Sequence, residues 1–211
     1  SPTTAGTMEW AKLGILMSLL FFPNGPILIK LLFAVVLSIV GTFLFVQLIN
    51  LIRVKDVIFV PLLGIMIGGI LSSFTTFVAL RTNALQSIGN WLTGNFAVIT
   101  SGRFEVLYLT IPLLILAFVF ANHFTIAGMG KDFSHNLGVS YEKIIKIALF
   151  ITATLTALVV VTVGTLPFLG LIVPNIISIY GGDHLKNALP HTLMLGAIFV
   201  LIADIIGRII V

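Results

Sequence analysis

Long hydrophobic runs separated by short polar segments constrain this chain of 211 residues more than any other feature. A helix needs about 20 mostly apolar residues to cross a membrane, and several runs reach or approach that length. Inside lipid, only helices and closed barrels satisfy every backbone hydrogen bond, and runs of this length predict helices. We therefore expect an all-α fold, a polytopic transmembrane helical bundle, with hydrophobic segments at about 9–22, 27–51, 57–80, 106–124, 144–163, 171–180 and 189–211.

The composition agrees with lipid as the solvent of this fold. Hydrophobic residues make up 59% of the chain and charged residues only 9%, whereas charged residues make up about 25% of an ordinary soluble domain. The net charge of +4 comes from Lys and Arg scattered between the runs, so the basic stripe of a nucleic-acid-binding protein is missing. The sequence has no cysteine, which excludes disulfides, thiolate metal sites and cysteine nucleophiles.

The distribution of Lys and Arg between the loops predicts which loops face the cytoplasm. One side of the bundle would hold six of them: Arg53, Lys55, Lys131, Lys143, Lys146 and Lys186. The opposite side would hold four: Lys30, Arg81, Arg103 and Arg208. Because cytoplasmic loops carry an excess of positive residues, this modest difference favours a cytoplasmic position for the polar segment 125–143.

Two local patterns lie in the third run and in the segment that follows it. Gly64 and Gly68 have the GxxxG spacing that brings transmembrane helices close together. Residues 81–104 are too polar to span a membrane and too apolar for a free loop. We expect a short interfacial or re-entrant helix at about 85–96, with Trp91 at the level of the lipid headgroups.

Motifs of enzymes are absent from the sequence, which contains no HExxH, no GxSxG and no P-loop. The four histidines, at positions 123, 135, 184 and 191, lie in separate segments, so we expect no metal, no cofactor and no catalytic residue. Asp204 and Arg208 stand at i and i+4 and share one helical face. This pair either neutralises itself, which is the simpler interpretation, or contacts a substrate or gate.

The stretch GKDFSHNLGVS at 130–140 is a short polar segment between two hydrophobic runs. Phe133 and Leu137 stand at i and i+4 and would form one apolar stripe on a short helix. Gly138 is suited to end that helix at its C′ position. Such a helix either docks in a groove of a soluble partner or merely connects two spans, and the residues alone leave both interpretations open.

The same stretch resembles the cytoplasmic coupling segment of permease subunits in bacterial ABC importers for iron-siderophores, haem and vitamin B12. Two further blocks in the family's order are similar to it, GNWLTGNF upstream and GTLPFLGLIVPNIISIYGGDHLKNALPHTLMLGAIFVLIADIIGR downstream. The likeness covers most of the chain. The sequence departs from the family's pattern at Phe133 and Ser134, where a small residue is frequent, and at Asn175 and Ser178, where His and Arg are usual.

The resemblance implies a single transmembrane permease domain over residues 1–211, with about seven of the ten spanning helices of the family. The chain begins at SPTTAGTMEW and ends within the hydrophobic run ADIIGRIIV, so we expect a fragment of a longer polytopic protein, truncated at both ends. Residues 81–104 would form an outer interfacial or gating segment, and residues 125–143 the cytoplasmic coupling segment.

The resemblance also implies roles for individual residues, none of which performs covalent chemistry. Coupling to the ATPase would involve Gly130, Lys131, Asp132, Phe133, Leu137 and Gly138. Gating of the pathway would involve Trp91, Leu92 and Gly94. From their packing motif we further expect Gly64 and Gly68 on the helix nearest the pathway.

The function implied is that of a multi-pass permease subunit in the bacterial cytoplasmic membrane, part of an ATP-driven importer whose ATP hydrolysis belongs to a cytoplasmic ATPase subunit. The other implied partners are a second permease subunit, identical or related, an extracytoplasmic siderophore-binding protein and membrane lipid, but no nucleic acid. The opening SPTTAGTMEWAKLG is similar to permeases for ferric siderophores and favours the catecholate or mixed catecholate type. A secondary, ion-coupled transporter and a membrane scaffold are the alternatives.

Overall fold

The computed structural model describes residues 6–52, 59–92, 94, 96, 99, 104–166, 168–182 and 184–210. Over these residues the secondary structure is helical, which confirms the all-α prediction. The α-helices are α1 Thr7–Phe21, α2 Ile27–Ile52, α3 Phe59–Arg81, α4 Leu85–Leu92, α5 Thr110–Val119, α6 Ala121–Gly128, α7 Lys131–Asn136, α8 Tyr141–Thr162, α9 Leu169–Gly181 and α10 Leu185–Ile210, and a 3-10 helix at Phe104–Leu109 leads into α5. Residues 53–58, which include Arg53 and Lys55 of the predicted cytoplasmic side, lie outside the described residues.

Each of the seven predicted hydrophobic runs forms helix in the structure. Four helices, α2, α3, α8 and α10, are long and apolar enough to cross a membrane. Phe104–Val119 and Ala121–Gly128 are apolar enough together but are bent by 57°, so they form either a broken span or a re-entrant loop. α1 has 15 residues and α9 has 13, so both are shorter than a usual span. The multi-pass membrane architecture is confirmed, whereas the count of seven spans stays a prediction.

The bend in the fourth run lies at Phe120, where the sequence predicts an unbroken helix. Phe120 has φ −86° and ψ 0°, which is the bridge region between helical and extended backbone. Its ring lies 5.7 Å from the His123 ring and 6.2 Å from the Phe124 ring, measured between centroids. Neither Pro nor Gly stands at Phe120, and the proline of this run, Pro112, lies two turns earlier, so residue types do not mark the position of the bend.

The described residues belong to two compact units. The first comprises Ser1–Leu113 with Leu149–Pro167, and the second comprises Leu114–Ala148 with Phe168–Val211. The prediction of a single permease domain is a statement about the assembled protein and stays a prediction.

α1 is the central helix of the first unit. It packs against α2, α3 and α4, and residues 11–16 are all buried. Ile15 lies in one apolar cluster with Leu31, Ala34 and Leu158. Leu16 lies in a second cluster with Leu13, Ala79 and Ile88. A helix that is covered on all sides is a core element, which explains why the first run is short and nearly uniformly apolar.

Small residues let α2 approach α1 closely. A Cβ atom on Gly14 would lie 2.6 Å from the Phe33 carbonyl oxygen and 2.7 Å from the Ala34 Cα atom. Farther along the pair, a Cβ atom on Gly41 would overlap the indole ring of Trp10. Both glycines are therefore required by the closeness of the two helices and not by backbone conformation.

The predicted GxxxG face of α3 packs against the start of α1. Gly64 and Gly68 are buried, and a Cβ atom on Gly6 would lie 3.6 Å from the Gly64 carbonyl oxygen. Thr75 and Ala79 continue the buried face of α3. Close helix packing at this motif is confirmed.

Several buried polar side chains within the first unit bond to one another or to backbone, whereas Glu9 Oε2 is buried without a hydrogen-bond partner. The Thr7 and Thr42 hydroxyls are 3.2 Å apart. Lys12, although 9% exposed as a residue, donates a hydrogen bond of 2.9 Å to Glu9 Oε1 one helical turn away. This i, i+3 pair keeps the two opposite charges together within the first hydrophobic run.

In the second unit, α10 packs against α9 and α6, and α6 packs against α7. The predicted break between α8 and α9 is confirmed, because α8 ends at Thr162 and α9 begins at Leu169. Phe168 precedes α9 with φ +64°, a left-handed conformation that is rare for a bulky residue. No residue of α10 is buried within the described part of the chain, so its apolar side chains are available to lipid or to another subunit.

We predict that Gly14→Ala destabilises the protein by about 1–3 kcal/mol, because the new methyl group meets α2 backbone that cannot move aside alone. The measurement is the free energy of unfolding, or the melting temperature, in detergent. Gly69→Ala is the matched control, since nothing lies within 4 Å of a Cβ atom built there. Equal stability of the two variants would contradict the close contact of α1 with α2.

Candidate functional site

The short helix α7 is framed by two glycines with backbone conformations that other residues rarely adopt. Gly130 precedes it with φ 108° and ψ 169°, a region that is essentially restricted to glycine. Gly138 follows the helix with φ +72°. The Gly138 N–H donates to the His135 carbonyl at 3.0 Å and the Val139 N–H to the Ser134 carbonyl at 2.9 Å. These two bonds form a Schellman motif, which confirms that Gly138 ends the helix at C′.

Phe133 and Leu137 form the predicted apolar stripe of α7, and both side chains are exposed. They are 47% and 55% exposed respectively, although they belong to a segment of otherwise polar residues. The polar positions Lys131, Asp132, His135 and Asn136 are exposed as well. An exposed apolar pair on a rigid turn is the pattern that a helix offers to a groove on a partner.

Ser134 is the one buried residue of α7, at 0% exposure. Its hydroxyl donates to the Gly130 carbonyl at 2.8 Å and to the Ile126 carbonyl at 3.2 Å. The first bond lies within the segment, and the second joins α7 to α6. Because Ser134 faces inward while its neighbours face outward, the orientation of the Phe133 and Leu137 side chains is determined by this attachment.

Charges contribute little to holding α7 in place. Lys131 Nζ lies 3.6 Å from Glu142 Oε1, and the two side chains are 68% and 72% exposed. A surface pair of this kind is worth about 0–1 kcal/mol. Glycine geometry and the Ser134 hydroxyl, rather than ion pairs, therefore define the position of the helix.

The predicted outer segment is only partly described. Trp91 and Leu92 form the last turn of α4, which ends earlier than the predicted 85–96 helix. Gly94 lies against the break after α8, since a Cβ atom there would be 2.7 Å from the Thr165 carbonyl oxygen. Ile88 anchors α4 in the core at 1% exposure. The structure thus brings Gly94 to the α8–α9 connection, and most of residues 93–103 lie outside the described part of the chain.

The Asp204–Arg208 pair and the GxxxG motif make contacts within the protein that stabilise the fold. Arg208 Nε donates to Asp204 Oδ2 at 2.8 Å, so the predicted i, i+4 pair forms and the two charges are satisfied within α10. Gly64 and Gly68 are buried by α1, and their expected place beside a pathway stays a prediction. Among the described residues, no three His, Cys, Asp or Glu side chains are grouped as a metal site would require.

Sequence reasoning missed the anchors behind the exposed stripe. Thr125 on α6 accepts a hydrogen bond of 3.2 Å from the Leu185 N–H at the start of α10. The residues are 60 positions apart, and neither periodicity nor a motif signals the contact. At Ser134 the sequence carries a usable signal, because a hydroxyl at a position where a small residue is frequent can form a buried hydrogen bond.

Several apolar helices of membrane length place the chain among multi-pass α-helical membrane proteins. A solved membrane protein has the same fold. It is described as an inward-facing conformation of a metal-chelate type ABC transporter, with a TM-score of 0.78 and 20% sequence identity, and the match covers 100% of this chain and 68% of that one.

The particular family follows from the sequence comparisons. The FecCD transport family matches residues 1–211, and the chain belongs to this family. The petrobactin import system permease protein YclN of Bacillus subtilis is 54% identical over 211 residues, which are 100% of this chain and 67% of that protein. The petrobactin import system permease protein FatD of Bacillus anthracis is 38% identical over 210 residues, which cover 63% of its length. The chain thus spans about two thirds of these relatives.

We predict that Gly130→Ala loosens α7 more than Gly138→Ala does. The conformation of Gly130 is nearly closed to L-residues and costs about 2–3 kcal/mol, whereas the left-handed conformation of Gly138 costs an alanine about 1–2 kcal/mol. The measurement is hydrogen exchange of the amides at 131–139.

Gly128→Ala is the control for both variants. All three glycines have open space around a built Cβ atom, but only Gly130 and Gly138 have positive φ. Faster exchange in Gly128→Ala than in Gly130→Ala would contradict the role of backbone conformation.

Proposed function

We propose that the chain forms the membrane-spanning core of a permease subunit in an ATP-driven importer of ferric siderophores, and that α7 is where it couples to the ATPase. The single observation that carries the proposal is the exposed Phe133–Leu137 stripe on a glycine-framed helix, in a chain of this family. We place α7 on the cytoplasmic side, in agreement with the excess of Lys and Arg in the loops of that side.

Docking of α7 is supported by what burial of the stripe would provide. Burying a fully exposed Phe or Leu side chain stabilises by about 1.5–3 kcal/mol. Since Phe133 and Leu137 are about half exposed in the structure, a groove that covers them would provide about 1 kcal/mol each. The polar rim of Lys131 and Asp132 would then set the orientation of α7 in the groove. This is a modest contact, suited to a joint that moves in each cycle.

In the proposed mechanism, ATP binding and hydrolysis in two cytoplasmic subunits displace α7 in each of two permease subunits. The passage between the permeases opens alternately to the binding protein outside and to the cytoplasm. A bulky chelate needs a wide passage that binds it weakly, lined by small and apolar side chains. We assign Trp91, Leu92 and Gly94 to the outer gate of this passage, and Gly64 and Gly68 to the helix beside it.

The chemical class of the cargo is proposed from the named relatives. Both permeases compared above are named for petrobactin import, at 54% and 38% identity. Together with the resemblance of the opening SPTTAGTMEWAKLG to siderophore permeases, they favour a ferric siderophore of the catecholate class.

An ion-coupled carrier has less support. Such carriers place carboxylates along an intramembrane cavity. Among the described residues, Glu9 Oε1 is paired with Lys12 within α1, and Asp204 is paired with Arg208 within α10. Each carboxylate is thus held by a cation on its own helix, although Glu9 Oε2 is buried without a hydrogen-bond partner.

We predict that Leu137→Asp in the complete importer abolishes ATP-dependent uptake, because a charge in the middle of the docking stripe prevents its burial. The measurement is uptake of 55Fe-siderophore into proteoliposomes, with membrane insertion checked in parallel. Asn136→Asp is the control, since it adds the same charge to the neighbouring exposed position and leaves the stripe intact. Normal uptake by Leu137→Asp would contradict docking at α7.

We predict that ferric catecholate siderophores compete for this uptake and that ferric hydroxamates and ferric citrate do not. Competition is measured with the cognate binding protein present, at equal concentrations of the iron chelates. A transporter that prefers the hydroxamate would overturn the cargo assignment while leaving the coupling role of α7 intact.

A further inference from the structure

The helix α6 lies between the docking helix α7 and the start of α10, and it packs against both. It has eight residues, begins after the bend at Phe120 and ends before Gly130. Two of its residues, Ala121 and Ala127, are buried at 0% and 5% exposure. A helix of about two turns, with a glycine beyond one end and a bend at the other, can tilt as a unit.

The first attachment of α6 is to α7, through Ser134. A serine hydroxyl has one proton to donate, and here it is shared between the Gly130 carbonyl at 2.8 Å and the Ile126 carbonyl at 3.2 Å. The Ile126 carbonyl belongs to the last turn of α6, where carbonyl groups have no partner within the helix's regular ladder. Ser134 therefore connects the end of α6 to the inner face of α7.

The second attachment is to α10, through Thr125. The Thr125 hydroxyl donates to the Ala121 carbonyl at 3.1 Å and accepts the Leu185 N–H at 3.2 Å. Leu185 is the first residue of α10, where amide groups also lack an intrahelical partner. Thr125, a residue of α6, thus caps the N-terminus of α10. It is the neighbour in sequence of Ile126, whose carbonyl accepts the Ser134 hydroxyl.

We propose that α6 is the relay that carries displacement of α7 to the first turn of α10, and that Ser134 and Thr125 are the positioning residues at its two ends. This inference rests on the proposed function, because it presumes that a partner moves α7. The relay consists of the Ser134–Ile126 hydrogen bond, the helix α6 and the Thr125–Leu185 hydrogen bond. A contiguous connection of this kind can transmit a change between distant elements.

The test uses the complete importer and hydrogen exchange of two segments, 131–138 in α7 and 184–188 at the start of α10, with and without a non-hydrolysable ATP analogue. Ser134→Ala removes the first attachment and Thr125→Val the second, while Thr125→Ser retains the hydroxyl. Thr192→Val and Ser73→Ala are controls, because each removes a hydroxyl bond within one helix, to the Ala188 and Gly69 carbonyls respectively.

In the parent protein we expect nucleotide to change exchange in both segments. In Ser134→Ala and in Thr125→Val the change at 131–138 persists, whereas the change at 184–188 falls about fivefold. Thr125→Ser and both controls behave like the parent. The amount of cargo moved per ATP hydrolysed falls in the same two variants, while their melting temperatures equal that of the parent protein. A merely structural role of Ser134 and Thr125 would not produce this combination.

The relay is overturned if the change at 184–188 survives in Thr125→Val, or if the parent shows a change at 131–138 and none at 184–188. In both cases docking at α7 still stands. A parent without any nucleotide-dependent change at 131–138 would overturn docking and the relay together. If Ser134→Ala does not fold, the comparison of Thr125→Val with Thr125→Ser decides, because both leave α7 unaltered.

Discussion

Close approach of α1 to its neighbours is the constraint on which the first unit depends. Between helices in lipid there is little hydrophobic driving force, so association relies on close packing and on polar bonds. Gly14 brings α2 against α1, Gly64 and Gly68 bring α3 against it, and the Thr7–Thr42 contact adds a polar bond. The same principle explains why Glu9 and Lys12 are tolerated there, since Lys12 donates to Glu9 Oε1, although Glu9 Oε2 is buried without a hydrogen-bond partner.

In the second unit, the same need to satisfy backbone groups shapes the proposed site. The ends of helices leave carbonyl and amide groups outside the regular helical ladder. The Ser134 hydroxyl bonds to the Ile126 carbonyl, which also accepts the Met129 N–H, and the Thr125 hydroxyl accepts the Leu185 N–H. These bonds orient α7 so that Phe133 and Leu137 face outward. The hydrogen bonds of Ser134 and Thr125 therefore stabilise the fold locally. The same bonds hold the exposed stripe of α7 in place for a partner and connect α7 through α6 to the spanning helix α10.

Sequence periodicity and turn chemistry predicted much of this arrangement. The hydrophobic runs became helices, the GxxxG face of α3 became a packing surface, and Gly138 became the C′ residue of α7, because each depends on neighbours close in sequence. The bend at Phe120 was not predicted, since its residue types are ordinary helix formers in lipid. The Thr125–Leu185 bond was not predicted either, because it depends on how distant segments meet.

The central claim is that α7 contacts the ATPase from the cytoplasmic side. Because the sequence has no cysteine, a single introduced cysteine can test this claim directly by crosslinking. A single Leu137→Cys substitution in the complete importer is tested for crosslinking to cysteines placed along the groove of the ATPase subunit, with Met194→Cys on the exposed face of α10 as control. The account predicts a crosslink from position 137 only. Failure of position 137 to crosslink, or its labelling by an impermeant thiol reagent from outside the cell, would contradict it.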